Sequence, residues 1–193
     1  RALATVDAEN VIIDGNQVTL TTPGSAIDLG GIAKGYIADQ MKAYLNSQGI
    51  TSGLIDLGGN ILALGPKEHQ DTASYTIGIQ KPFADDGDPI AAIEVTDQSV
   101  VTSGIYQRYF ESDGVLYHHI LDTATGYPCD NGLASVTIIN NSSVDGDALS
   151  TTCFAMGLSD GLAFAESLPD TEAIFITTDG ELHCTSGIGT TIP

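Results

Sequence analysis

Residues 28–34 (DLGGIAK) bring a carboxylate, two glycines and a lysine together where a helix is predicted to begin. Glycine has no Cβ, so a ligand can approach the backbone closely at such a turn. The free N–H groups of a helix N-terminus bind phosphate, and a lysine in the first turn adds positive charge. The segment therefore indicates an anion site, in which Asp28 could accept a hydrogen bond from the ligand. The alternative is an ordinary helix that Asp28 caps, with Lys34 in solvent.

Residues 147–151 (DALST) place one carboxylate and two hydroxyls near the start of a second predicted helix. Asp147, Ser150 and Thr151 share one helix face. Oxygen-only ligands suit a hard cation such as Mg²⁺, which also takes phosphate oxygens from a substrate. The alternative is a helix cap by Asp145 or Asp147, with the hydroxyls bonded back to the backbone. The opposite face is predicted to be the core-facing stripe, formed by Leu149, Thr152, Cys153 and Met156.

Two further segments carry polar residues on predicted strands. His118 and His119 are adjacent, so their side chains point to opposite faces and at most one of them reaches a site. There it could act as a base or donate to a phosphate, whereas the alternative is a hydrogen-bonded structural histidine. Ser103 and Gly104 lie between two strand-like runs, where small residues either line a nucleotide pocket or form a turn.

The elements that must position these residues follow from hydrophobic periodicity and turn signals. Apolar residues recur at helical spacing over 32–48, and Gly49 is a suitable stop. Helices are also predicted over 147–157 and over 159–169, the latter capped by Ser159 or Asp160. Strand-like runs come in hairpin pairs, which predicts an α+β fold with largely antiparallel sheets. These runs cover 10–23, 52–65, 74–80, 90–96, 99–104, 106–110, 114–121, 133–140, 172–178 and 181–186.

Composition excludes several classes of function. The chain has 25 acidic residues against 6 Lys and Arg, a formal net charge of −19, which argues against a nucleic-acid partner and favours cations. Its three cysteines have no CxxC spacing and indicate neither a structural zinc site nor a disulfide framework. The phosphate-loop, dinucleotide-fold, HExxH and GxSxG motifs are absent from the sequence.

Five segments, taken in order, resemble one known family. DLGGIAKGYIAD, GLIDLGGNILALG, VVTSGIYQRYFE, YHHILDTATGYP and DGDALSTTCFAMG are similar to segments of the FAD:protein FMN transferases, the ApbE-type flavin transferases. The resemblance implies an ApbE-like, T-fold-like α+β fold and a Mg²⁺-dependent reaction with FAD. In that reaction FMN is joined through its phosphate to a Thr or Ser of a partner flavoprotein, a subunit of a membrane redox complex, and AMP is released.

The resemblance also assigns roles to residues of this chain. His119 is the candidate catalytic base, because imidazole can hold a proton near neutral pH. The cofactor-binding candidates are Asp28, Lys34, Ile120, Ser103 and Gly104, and the metal-binding candidates are the carbonyl of Gly31 with Asp147, Ser150 and Thr151. Many relatives carry a small hydroxyl residue where this chain has Gly31, and a carbonyl ligand survives that difference.

The first residues of this chain are similar to a region well inside the sequences of the family. We therefore expect residues 1–193 to form a single flavin-transferase-like domain without the family's N-terminal part. A flavin-binding module, or a fragment without transferase activity, is the alternative interpretation. The family further implies an exported protein, at the periplasmic or outer face of the bacterial membrane with a lipid anchor in some members, and allows a homodimer.

Overall fold

The computed structural model describes residues 2–67, 73–85 and 87–188 of the 193-residue chain. These residues contain three α-helices: α1 (Ala33–Ser47), α2 (Ser143–Met156) and α3 (Leu158–Ser167). Two short 3₁₀ helices lie at Ala2–Thr5 and Ala8–Asn10. The strands are β1 (Val11–Asp14), β2 (Gln17–Leu20), β3 (Gly53–Asp56), β4 (Asn60–Leu64), β5 (Tyr75–Gln80), β6 (Pro89–Val95), β7 (Ser99–Gly104), β8 (Tyr109–Ser112), β9 (Val115–His118), β10 (Leu133–Asn140), β11 (Thr171–Thr177) and β12 (Leu182–Cys184).

A six-stranded sheet in the order β12-β11-β10-β7-β4-β3 forms the centre of the molecule. Three hairpins, β1-β2, β5-β6 and β8-β9, accompany it, and every strand pair among the described residues is antiparallel. The predicted α+β class with antiparallel sheets is therefore confirmed. The middle strand β10 is buried along its whole length, because β7 and β11 pair with its two edges and both of its faces are covered.

Successive side chains of each strand point to opposite faces of the sheet, so the sheet contributes to two hydrophobic cores, one on each face. On one face Val136 and Phe175 pack with Phe154 of α2 and Ala165 of α3. On the other face Ile139 and Ile174 pack against the apolar side of the β5-β6 hairpin. The result is three layers: helices, the central sheet and a hairpin. The described part of the chain contains no helix with the length and apolar character needed to span a bilayer.

Helix α2 differs from its prediction in two ways. It begins at Ser143, four residues early, and Ser142 is its N-cap, accepting from the N–H of Asp145. The predicted core stripe is half right, because Cys153 is buried and Leu149 packs against the core, whereas Thr152 and Met156 are exposed. The buried positions are Ser143, Gly146, Asp147, Ser150, Cys153 and Phe154. The small and polar residues among these are buried because α1 and β7 pack against the side of α2 that carries them.

Other element boundaries in the structure differ from the predicted ones. The cap predicted for α3 at Ser159 or Asp160 is wrong, since Gly157, with φ of +81°, joins α2 directly to α3 and is itself the N-cap. The strand predicted over 106–110 starts only at Tyr109, and the strand predicted over 114–121 ends at His118. Helix α1 and the hairpins β1-β2 and β3-β4 lie where the sequence predicts them.

Helices α1 and α2 touch through their backbones at Gly35. A Cβ built on Gly35 would lie 2.2 Å from the carbonyl oxygen of Ser143 and 2.6 Å from the Cα of Val144. Both neighbours are main-chain atoms, so neither can swing aside. Glycine at position 35 is therefore what allows the two helix N-termini to meet.

We expect Gly35→Ala to lower the free energy of unfolding by an amount at the upper end of the ~1–3 kcal/mol range for overpacking. Urea denaturation measures the loss. The control is Gly53→Ala, because a Cβ there would meet no atom within 4 Å, and its effect should stay within about 0.5 kcal/mol. Equal stability of the two variants would contradict the close helix contact.

Candidate functional site

A cavity of about 1150 Å³ opens at the start of α1, alongside residues 147–156 of α2 and beside the ends of β7 and β9. Eight of the ten candidate site residues line it: Asp28, Gly31, Lys34, Ser103, His119, Ile120, Asp147 and Thr151. Gly104 and Ser150 are not among the lining residues. Segments that are remote in sequence thus meet around one space, as a shared binding site requires.

Asp147 is a buried carboxylate at this cavity, with 6% of its surface exposed. Its Oδ2 accepts a hydrogen bond of 2.9 Å from the N–H of Gly35, in the first turn of α1. Among the described residues no other hydrogen bond reaches the carboxylate, and no Lys or Arg pairs with it. A buried charge with so few partners is costly unless a cation or further donors complete its surroundings.

A chain of hydroxyls runs from the cavity into α2. Ser150 Oγ–H donates to the carbonyl oxygen of Asp147 at 3.0 Å. Since each hydroxyl has one proton, the 2.8 Å contact must be donated by Ser103 to Ser150, and the 3.0 Å contact by Thr151 to Ser103. The lone pairs of Thr151 Oγ1 therefore remain available on the cavity side, whereas Ser150 is fully buried and engaged.

The residues present fit a hard cation. Asp147, Thr151 and Gly31, the metal-binding candidates that line the cavity, would offer a carboxylate, a hydroxyl and a carbonyl oxygen. Across the described parts of the chain, no three His, Cys, Asp or Glu side chains cluster as a metal site. A cation would thus depend on hydroxyl, carbonyl, water and substrate oxygens, a donor set that suits Mg²⁺.

The start of α1 differs from the ordinary capped helix. Asp28 accepts from the N–H of Gly30 at 2.6 Å in a local turn, and the N-cap Ile32 has no side-chain cap bond. The alternative interpretation of Asp28 as the cap of α1 is therefore wrong. Lys34 is half-buried and donates to the carbonyl oxygen of Gly58 at 3.4 Å.

Arg108 also lines the cavity, and the sequence analysis did not select it. Its guanidinium has no ion pair with any described carboxylate. Two of the chain's six Lys and Arg, Lys34 and Arg108, thus border one cavity in a protein of net charge −19. Because the chain has so few basic residues, each of them is a candidate for a specific role, and this reasoning would have selected Arg108. The pair makes the cavity a plausible anion site.

The two histidines lie in different surroundings, and His119 follows the end of β9 at His118. His118 is buried, and its Nε2–H donates to the carbonyl oxygen of Cys129 at 3.1 Å while Nδ1 accepts from Ile120 N–H at 3.3 Å. Burial lowers the pKa of His118 below its ordinary value. His119 is exposed at the cavity, where Nδ1–H donates to the carbonyl oxygen of Arg108 at 3.3 Å. That bond leaves Nε2 as the nitrogen with a free lone pair.

Gly104 serves packing next to the site. A Cβ there would lie 2.7 Å from the ring of Tyr106 and 3.3 Å from Cβ of Ser135. The burial of Tyr106 thus explains the glycine, and direct contact with a ligand is not needed for it. Ile120, by contrast, is 4% exposed, lines the cavity and is held by its bond to His118.

Known proteins are similar to this chain in sequence. The sequence model of the ApbE family matches residues 1–175. The FAD:protein FMN transferase of Klebsiella pneumoniae (strain 342) is 45% identical over 186 residues, 95% of this chain and 56% of that protein. That of Treponema pallidum (strain Nichols) is 42% identical over 178 residues, 89% of this chain and 49% of that protein. The chain spans about half the length of the curated relatives it matches.

Solved structures give the same result. The ApbE protein from Thermotoga maritima superposes with a TM-score of 0.85 at 36% identity, over 96% of this chain and 60% of that chain. The flavin transferase ApbE from Vibrio cholerae superposes with a TM-score of 0.83 at 34% identity, over 96% of this chain and 59% of that chain. The arrangement of helices and antiparallel sheets is therefore shared with these proteins.

The buried His118 predicts a pH dependence of stability. Because its folded-state pKa lies below the ordinary value of 6.5, the unfolded chain takes up the proton first as the pH falls. We expect wild type to lose free energy of unfolding, relative to His118→Gln, from about pH 6.5 downwards to the folded pKa. Urea denaturation between pH 7.5 and 5 measures the difference. The control is His183→Gln, at a partly exposed histidine 3.7 Å from Glu181. Parallel curves for wild type and His118→Gln would contradict the assignment.

Proposed function

The chain belongs to the ApbE family, and on that premise we propose that it transfers FMN from FAD to a Thr or Ser hydroxyl of a partner flavoprotein. The proposed reaction depends on Mg²⁺ and releases AMP. One observation carries the proposal: a buried carboxylate, free hydroxyl lone pairs, a helix N-terminus and two basic side chains without an ion pair to any described carboxylate border the same cavity. Relatives that bear the name FAD:protein FMN transferase support it.

The bonds of the reaction balance without a redox partner. The acceptor hydroxyl oxygen forms a bond to the FMN phosphorus, and the anhydride bond between the two phosphates breaks. AMP departs with the bridging oxygen, and the hydroxyl proton must go to a base. Nε2 of His119 is the candidate, because its lone pair is free and the ring lies at the cavity.

Charge neutralisation is the main demand of phosphoryl-type transfer. Asp147, Thr151 and the Gly31 carbonyl would hold Mg²⁺, which when bound neutralises charge on the pyrophosphate oxygens. Lys34 and Arg108 supply further positive charge at the same cavity. The volume of about 1150 Å³ exceeds the ~300–1,000 Å³ typical of small-molecule pockets, which supports a ligand as large as a dinucleotide.

The partners follow from the same premise. The acceptor is proposed to be a flavoprotein subunit of a redox complex, which must present its hydroxyl at the open side of the cavity. The proposed place of action is the periplasmic or outer face of a bacterial membrane, as the family resemblance implies.

Incubation of the chain with FAD and Mg²⁺ should release AMP, with water attacking the FMN phosphorus in place of the acceptor hydroxyl, and chromatography measures the AMP. We expect Asp147→Asn to lower the rate by about 100-fold, the order expected when metal stabilisation of developing charge is lost. Asn keeps one acceptor oxygen for the Gly35 N–H, so the variant should fold. The control is Asp145→Asn, an exposed carboxylate on the same helix, which should retain the rate. Bound flavin without AMP would instead support a binding module that does not perform transfer.

Lys34→Gln should weaken FAD binding about 10-fold, because one charge-assisted contact to phosphate is lost. The melting temperature should hardly change, since within the described ranges the ammonium group makes a single hydrogen bond, of 3.4 Å, to Gly58. Flavin fluorescence titration and thermal denaturation measure the two effects. Lys81→Gln removes the same charge from an exposed position away from the cavity. A large loss of thermal stability with unchanged FAD affinity would contradict a ligand role for Lys34.

A further inference from the structure

Each of the two helices that border the cavity has its N-terminus bound by an aspartate of the other. The first N–H groups of a helix have no partner within the helix. At the start of α1, Asp147 of α2 accepts from Gly35 N–H at 2.9 Å. At the start of α2, Asp39 of α1 accepts from Ser143 N–H at 3.0 Å and from Val144 N–H at 2.9 Å.

The spacing makes these contacts one unit. Gly35 and Asp39 are four residues apart on α1, and Ser143 and Asp147 are four residues apart on α2, so each pair lies on one helix face. The Gly35 backbone also lies directly against Ser143 and Val144. Asp39 therefore fixes how the first turn of α2 sits on α1. The position of Asp147, one turn further along, follows from it.

We propose that Asp39 is a positioning residue that holds Asp147 in place for its cation. It does not line the cavity and acts only through α2. With its two oxygens it binds two adjacent N–H groups, which fixes both the distance and the rotation of that helix turn. This inference rests on the proposed function, because it assumes that Asp147 binds Mg²⁺.

Ser142 and Asp97 provide matched comparisons. Ser142 caps the same helix α2, but within its own segment, through Asp145 N–H at 3.4 Å. Asp97 also ties α1 to another segment: its Oδ1 pairs with Lys42 Nζ at 2.8 Å and accepts from Gly65 N–H at 2.8 Å. Losing either should lower stability without moving Asp147.

The experiment compares wild type, Asp39→Asn, Ser142→Ala and Asp97→Asn in two measurements. Hydrogen exchange at the Gly35 amide, without metal, reports the bond to Asp147, and calorimetric titration with Mg²⁺ alone reports the cation site. Asn retains one acceptor oxygen, so Asp39→Asn keeps one of the two bonds. We expect it to speed Gly35 exchange and weaken Mg²⁺ binding by about 10-fold, the loss typical when a group that orients a metal ligand is changed. Ser142→Ala and Asp97→Asn should change neither.

Failures of the two proposals are distinguishable. Wild type that does not bind Mg²⁺ would overturn the cation site, and with it the role of Asp39. Wild type that binds Mg²⁺ while Asp39→Asn matches it in both measurements would overturn the positioning role alone, as would equal effects of Ser142→Ala. Should Asp39→Asn not fold, Asp39→Glu retains both acceptor oxygens. Mg²⁺ affinity and Gly35 exchange close to wild type in that variant support the proposal, and loss of both without a drop in stability contradicts it.

Discussion

The reciprocal capping of α1 and α2 is the interaction on which the cavity depends. Segments 112 residues apart in sequence meet when Gly35 N–H donates to Asp147. The contact requires a glycine, because any side chain at position 35 would collide with the backbone of Ser143. It also requires acceptors on both helices, because the N–H groups of a helix start must be satisfied when they are buried. With these conditions met, the start of α1 and residues 147–156 of α2 face the same space as β7 and the end of β9.

This arrangement explains how a buried carboxylate is tolerated. A helix N-terminus carries partial positive charge, so Asp147 lies in the favourable end of the α1 dipole and Asp39 in that of α2. The stabilisation is incomplete, because Asp147 accepts only one hydrogen bond among the described residues. The hydroxyl chain from Thr151 to Ser150 ends on the carbonyl of Asp147 and leaves that carboxylate untouched. The fold thus holds the carboxylate firmly while leaving it capacity for a further partner.

Local signals predicted most of the fold, and long-range contacts account for what they missed. Turn residues and periodicity found α1 and the hairpins because neighbouring residues decide them. The burial of Asp147 and Ser150 on α2 was missed. Asp147 is buried by contact with α1 and Ser150 by contact with β7, and a helical wheel drawn from α2 alone contains neither contact. Asp39 carried no signal, as a carboxylate in mid-helix is usually solvated. The amino-acid sequences of the five segments identified the family, which is confirmed. The roles of the individual site residues stay predictions.

The charge of the chain links its two proposed ligands. A protein of net charge −19 repels a dinucleotide pyrophosphate at long range, and Lys34 and Arg108 are the bases at the cavity that oppose this locally. A cation at Asp147 would change the balance, because it neutralises the carboxylate and attracts phosphate oxygens. By linkage, whatever the cation adds to the affinity for FAD, FAD must add to the affinity for the cation. A site with one carboxylate and neutral oxygens is suited to this dependence, because it would bind the cation by itself and the substrate's phosphates would tighten that binding.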